Sequence, residues 1–171
     1  MERTAIVVGG GIGGLSAARA LHRTGWEVAL YDQAPEFRPV GAGIGIAPNA
    51  VKALRWLGLD EPVLAAGVRQ TGLETRLASG PRLARLPAAD IERRFGDPII
   101  ALHRADLHRV LVDSLDGVAV HTDHRAVGVE AGSDGASVTF ETPSGRRTAH
   151  ADLVVAADGV HSGMRAALFP G

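Results

Sequence analysis

Hydrophobic and polar positions divide the chain into short runs of two kinds. Thr4 to Val8 is a continuous β-branched and apolar run, the composition of a buried strand. Leu15 to Leu21 carries small residues on one face and predicts a helix that ends near Thr24-Gly25, a C-cap signal. Trp26 to Tyr31 reads as a second strand, closing a βαβ unit. Gln33 to Gly45 is rich in Pro and Gly, and its alternating glycines suggest close backbone approach to a ligand. Pro48-Asn49 opens a helix that runs to about Leu57 and stops at Gly58, and a short helix is expected near Glu61 to Ala66.

From Gly67 the texture changes. Leu73 to Ala78 and Arg82 to Leu86 look like short strands around a Ser79-Gly80-Pro81 turn, the start of a sheet-like lobe. Ile99 to His103 is another strand. Arg104 to Leu115 is the clearest amphipathic helix, with Leu107, Val110, Leu111 and Leu115 on one face. Val118 to His150 predicts three or four short strands, with hairpin turns at Ser133-Asp134-Gly135 and Pro143-Ser144-Gly145. Asp152 to Ala157 is a second buried-type strand, followed by Asp158-Gly159 and a helix from about Ser162.

The first strand runs straight into glycines spaced as G-x-G-x-x-G: Gly9, Gly11 and Gly14. Strand, glycine turn and helix together make this a dinucleotide-binding signal. Gly9 permits the tight turn, Gly11 lets a diphosphate approach the backbone, and Gly14 lets helix and strand pack closely. The helix start offers free N–H groups and a positive dipole end. Asp32, at the end of the second strand, can accept hydrogen bonds from both hydroxyls of an adenosine ribose and would repel a 2′-phosphate.

Composition acts mainly by exclusion. The 18 Lys and Arg residues balance 19 Asp and Glu, leaving a formal net charge of -1. No electrostatic footprint for nucleic acid or an anionic membrane follows. The absence of cysteine excludes disulfides and thiolate chemistry. The seven histidines lack metal-ligand spacing: His103 and His108 are off the helical i, i+4 face, and His121 and His124 flank a turn. No apolar stretch is long enough to span a bilayer. Arg3 and the apolar run mimic a signal peptide, but five glycines among residues 9–14 would weaken an h-region helix. A cytoplasmic protein is the expectation.

Four ordered motifs carry a resemblance: Gly9 to Gly14, Val40 to Asn49, His103 to His108, and Asp152 to Ser162. With them the chain resembles the single-component FAD-dependent aromatic hydroxylases, flavoprotein monooxygenases of the p-hydroxybenzoate hydroxylase type. It is most similar to their urate, salicylate and hydroxynicotinate hydroxylase branch. The resemblance implies an α/β fold: a Rossmann-like FAD-binding βαβ domain with a β-meander crossover and the start of a substrate-domain sheet. It places residues 1–70 and 98–171 in the FAD-binding domain and 71–97 in a partial substrate-domain segment. The family's later Gly-Asp motif has no match here, so the chain looks like the N-terminal portion of such an enzyme, with the C-terminal half of the family fold absent.

The implied roles follow residue by residue. Gly9, Gly11, Gly13 and Gly14 would hold the FAD diphosphate. Asp32 would bind the adenosine ribose, where many members carry Glu, and Gln33 would sit at the adenosine end, where Arg is common. Gly45 would line the passage towards the flavin, and Arg104 would reach the cofactor from its helix start. Val127 would offer backbone groups to adenine. Asp158, with Gly159, matches the family's Asp-Gly motif, associated with FAD and the passing nicotinamide cofactor.

The implied activity is hydroxylation of a small aromatic or heteroaromatic substrate by a flavin C4a-hydroperoxide, with NADH or NADPH as transient reductant. The flavin carries that chemistry, so no catalytic residue is assigned. A second chain completing the fold, or a homo-oligomer, is the partner expected. Two competing readings remain: an NAD-dependent Rossmann oxidoreductase, from Gly9 to Gly14 and Asp32 alone, and a truncated non-catalytic module that binds FAD or a partner.

Overall fold

The computed structural model describes residues 3–38 and 41–169. Val40, which opens the expected glycine-loop motif, lies outside the described residues, as does Gly171. In chain order the first elements are β1 (Thr4–Val8), α1 (Ile12–Arg23), β2 (Glu27–Tyr31), β3 (Gly43–Ile46), α2 (Pro48–Leu57) and α3 (Asp60–Ala66). Then come β4 (Val68–Arg69), β5 (Gly72–Arg76), β6 (Arg82–Pro87), α4 (Ala88–Phe95), β7 (Ile100–His103) and α5 (Arg104–Asp113). The last are β8 (Ala119–His121), β9 (Arg125–Gly132), β10 (Gly135–Thr142), β11 (Gly145–Ala151), β12 (Leu153–Ala156) and α6 (Gly163–Leu168).

The chain divides into two units, Met1–Arg38 with Leu111–Gly171, and Pro39–Val110. The second unit is wider than the expected segment 71–97. Its extra residues join it through pairing: β7 is the central strand between β3 and β4, antiparallel to both.

The first unit is a parallel sheet in the order β12-β1-β2-β8, with an antiparallel meander β9-β10-β11. β1 is central, and Ala5, Ile6, Val7 and Val8 are all buried. Each fully buried Ile or Val contributes about 1.5–3 kcal/mol, which explains the uninterrupted apolar run. Leu15 and Ala18 of α1 are also buried. Ile6, Val8, Val138, Phe140, Ala151 and Met164 form one core cluster that joins sheet, meander and α6. At the sheet's base, Asp152 accepts hydrogen bonds from the Thr4 backbone N–H at 2.7 Å and its hydroxyl at 3.0 Å.

In the second unit α2 is capped by Gly58 in the left-handed region, at φ 75°, where a glycine carries no Cβ penalty. Arg55 on α2 pairs with Asp60 and with buried Asp97. β5 and β6 form a hairpin, with Leu73 opposite Leu86. Its Glu74 takes ion pairs from Arg76 and Arg82.

Candidate cofactor-binding site

The strand order defines where a ligand can enter the first unit. From β1 the chain proceeds outwards to β2 and β8, and later returns to β1's other side as β12. With β2 on one side of β1 and β12 on the other, the strand order reverses at β1, and open α/β sheets bind ligands beyond the carboxyl ends of the strands at such a switch point. A cleft of about 510 Å³ lies there, lined among others by Gly9, Gly11, Asp32, Gln33, His124 and Asp158.

The glycine turn has two kinds of glycine. Gly9 has φ 110°, and a Cβ there would lie 2.3 Å from the Ala157 carbonyl oxygen. A Cβ on Gly14 would lie 1.8 Å from the Gly9 carbonyl oxygen. These two are occupied by the protein itself. Gly11 and Gly13 differ: a Cβ at either would meet nothing within 4 Å. Gly11 also forms the N-cap of α1, with no side-chain cap and no acidic residue in the first turn. Free N–H groups and the positive helix end thus face the cleft side of an open backbone, the arrangement that holds a diphosphate.

Asp32 stands across the turn. Its Oδ2 accepts the Gly10 N–H at 2.5 Å, and its Oδ1 accepts the Ala34 N–H at 2.8 Å. A carboxylate oxygen has two lone pairs, so each retains one acceptor direction for a hydroxyl. The backbone of Asp32 is also fixed: its N–H donates to His121 O and its carbonyl accepts from His124 N–H, both at 2.9 Å. Asp123, at φ 56°, holds the turn between these histidines, and its N–H donates to Ala34 O at 3.0 Å.

His121 and His124 flank the turn at Asp123. The structure stacks His121 on Tyr31, with ring centroids 4.6 Å apart, and Tyr31 on Phe140 at 4.4 Å. Burial, and then the neighbouring His124, hold the His121 pKa below the usual imidazole value. Burial raises that of Tyr31. His124 lines the cleft, and its Nδ1 lies 2.5 Å from Thr122 O.

Val127 is not among the cleft-lining residues; His124, Arg125 and Ala126 are. Its position is still distinctive. Ala126 pairs with Phe140 and Gly128 with Thr139, so Val127 falls at a bulge without a cross-strand partner in register. A bulge takes its extra residue out of the regular ladder.

Asp158 lines the cleft but its carboxylate serves the chain. It accepts the Ser162 hydroxyl at 2.6 Å and the Met164 N–H at 3.1 Å, while Ser162 Oγ accepts the Arg165 N–H at 2.9 Å. Burial pushes the Asp158 pKa up, but the hydrogen bonds from Ser162, Met164 and its neighbours outweigh it, and the net shift is downward.

Gly45 and Arg104 belong to the second unit. Gly45 pairs with Ala101 in the β3–β7 ladder, and a Cβ there would meet nothing within 4 Å. The Arg104 stem lies on Gly41, whose φ is 137° and whose Cβ would fall 2.9 Å from Arg104 Cβ and Cδ. The Arg104 N–H donates to Ala42 O at 2.9 Å.

Tyr31, Ala126 and Ala157 line the cleft, Gly10 is bound to Asp32 and Phe37 stands against Gly10, and none of the five has a role assigned from the sequence. Only the extra glycine at position 10 was a signal; the others depend on which strand ends meet. Among the described residues no group of three or more His, Asp or Glu is arranged to hold a metal, and no helix is long and apolar enough to cross a membrane.

The family described as FAD binding domain matches residues 2–169. The chain is 41% identical over 161 residues to 3-amino-4-hydroxybenzoate 2-monooxygenase of Streptomyces cremeus, covering 93% of this chain and 40% of that protein. It is 36% identical over 162 residues to the FAD-dependent urate hydroxylase of Klebsiella pneumoniae, covering 94% and 41%. The solved structure of Klebsiella pneumoniae HpxO complexed with FAD and uric acid superposes with a TM-score of 0.84 at 34% identity, covering 96% of this chain and 41% of that one. The chain therefore spans about 40% of the length of the relatives it matches.

Proposed function

This chain belongs to the FAD binding domain family, and from that premise we propose that residues 1–171 are the FAD-binding portion of an NADH- or NADPH-dependent flavin monooxygenase that hydroxylates a small aromatic or heteroaromatic compound. The observation that carries the reading is the switch-point cleft, where an open Gly11 backbone at a helix start faces a carboxylate at the end of β2. Residues that leave room where a diphosphate needs it, and supply acceptors where a ribose needs them, fit FAD.

In this reading Gly9 and Gly14 build the turn, and Gly11 and Gly13 let the diphosphate approach the first N–H groups of α1. Asp32 accepts the ribose hydroxyls, with Gln33 beside it. The bulged backbone at Val127 supports hydrogen bonding to adenine, since its groups lie off the regular ladder. Asp158 shapes the cleft floor by capping α6. The resemblance of their motifs to the family's supports cofactor contact for Arg104 and Gly45 as well. When bound, the flavin supplies the redox chemistry, using nicotinamide electrons and dioxygen to hydroxylate the ring. The protein's own residues bind, orient and exclude water.

The urate and 3-amino-4-hydroxybenzoate enzymes among the relatives support a small ring compound as substrate of the whole protein. An NAD-dependent oxidoreductase is disfavoured by the family match and by the meander that follows β8 in place of further βα units. The test is direct. The purified chain is titrated with FAD and, separately, with NAD, and its spectrum is recorded before and after heat release. Retained or titratable flavin is expected; a colourless chain that binds NAD and not FAD overturns the reading.

A further inference from the structure

Phe37 meets the Asp32–Gly10 pair at one point. Gly10 is buried, whereas Gly9 and Gly11 on either side are only partly so. A Cβ on Gly10 would lie 2.3 Å from Phe37 Cε1, 2.8 Å from Cζ and 3.1 Å from Asp32 Oδ2. Ring, carboxylate and glycine thus close on the 2.5 Å hydrogen bond from Gly10 N–H to Asp32 Oδ2. Pro35, Glu36 and Arg38 around Phe37 are exposed, and Phe37 alone of the four is partly buried.

We infer that Phe37 is a positioning residue for cofactor binding: its ring covers the Asp32–Gly10 bond and so locks the ribose-binding carboxylate to the phosphate-binding turn. The inference rests on the FAD reading of the cleft. Its physical basis is that a charge-assisted hydrogen bond strengthens when water is kept away. A site already held in its bound geometry also loses less free energy to ordering when the ligand arrives. Gly10 belongs to the same device, because any side chain there would displace the ring.

Two measurements on the full 171-residue chain test this. The first needs no cofactor: amide hydrogen exchange at Gly10, read by NMR, for the wild type, Phe37→Ala and Phe37→Leu. Phe37→Ala is expected to speed Gly10 exchange about tenfold or more while leaving the amides of β1 protected, and Phe37→Leu to restore most of the protection. The second is the FAD dissociation constant, read by flavin fluorescence. Phe37→Ala is expected to weaken binding about tenfold, Phe37→Leu by less than about threefold, and Phe37→Ala to add less than its full effect in an Asp32→Asn background. Unchanged Gly10 exchange, unchanged FAD affinity in Phe37→Ala, or full additivity with Asp32→Asn overturns the inference. If Phe37→Ala does not fold, Phe37→Val takes its place in both measurements. A wild-type chain that binds no FAD overturns the cofactor reading instead, and the Gly10 exchange result still decides whether Phe37 covers the bond.

Discussion

Gly14 stands against Gly9 with no room for a side chain between them: a Cβ on Gly14 would fall 1.8 Å from the Gly9 carbonyl oxygen. Gly11, three residues earlier, faces open space. One motif therefore contains a glycine required by the fold and a glycine whose missing side chain the fold does not need.

Gly14→Ala is expected to destabilise the chain by about 3 kcal/mol, because the obstacle is backbone and cannot rotate away. Gly11→Ala is expected to change stability by less than about 1 kcal/mol yet weaken FAD binding by about tenfold or more, since its methyl would occupy the diphosphate approach. Thermal melts and FAD titrations of both variants check this. Equal loss of stability in the two would remove the distinction.

Asp32→Asn keeps the side chain's shape and removes its charge. FAD binding is expected to weaken by about 10- to 100-fold, the range of one or two hydrogen bonds to a charged group. ADP, which carries the same ribose and diphosphate, should show the same loss. Titration of both ligands against both proteins measures it, and a loss confined to FAD would place Asp32 away from the ribose.

Asp158 links stability to pH. Its folded pKa is lowered, so it contributes stability that is present above the unfolded carboxylate value of about 3.9 and is lost as pH falls through the lower folded value. Asp152, lowered chiefly by the Thr4 backbone and hydroxyl hydrogen bonds, acts in the same direction. Asp158→Asn is expected to lower the thermal midpoint at pH 7 and to flatten its decline below about pH 4. Melts from neutral to acid pH compare the two, and parallel curves would argue against the cap.

His121 acts at higher pH. Its folded pKa is depressed, first by burial and then by His124, so the unfolded chain binds the proton more readily. Stability is present above the unfolded value of about 6.5 and is lost as pH falls below it. His121→Phe, which keeps a ring against Tyr31, is expected to reduce the drop in thermal midpoint between about pH 7 and pH 5. An unaltered drop would assign it to another group.

Much of the first unit was legible because it is locally encoded. The run Thr4–Val8, the glycine turn, the helix to Arg23 and the strand to Tyr31 each carry their own period or breaker. The meander's two turns were equally plain. α4 is not legible in the sequence because its eight residues bury one apolar anchor, Ile91. β3 read as loop because two of its four residues are glycine; it is a strand because β7 supplies the ladder. The resemblance groups residues 1–70 with the FAD-binding domain, while by contacts β3, α2, α3 and β4 cluster with β5, β6 and β7.

By itself the sequence determined the parts of the site: a strand, a turn with room for phosphate, and a carboxylate at a second strand's end. These are local statements, since glycine spacing and apolar runs act through neighbouring residues. The tertiary structure decided which glycines the protein fills and which it leaves open. It brought Phe37 onto Gly10, His121 onto Tyr31 and Ala157 against Gly9, and turned Asp158 inward to hold a helix. Those contacts join residues far apart in the chain, and packing sets them where separate elements meet, which no local pattern encodes.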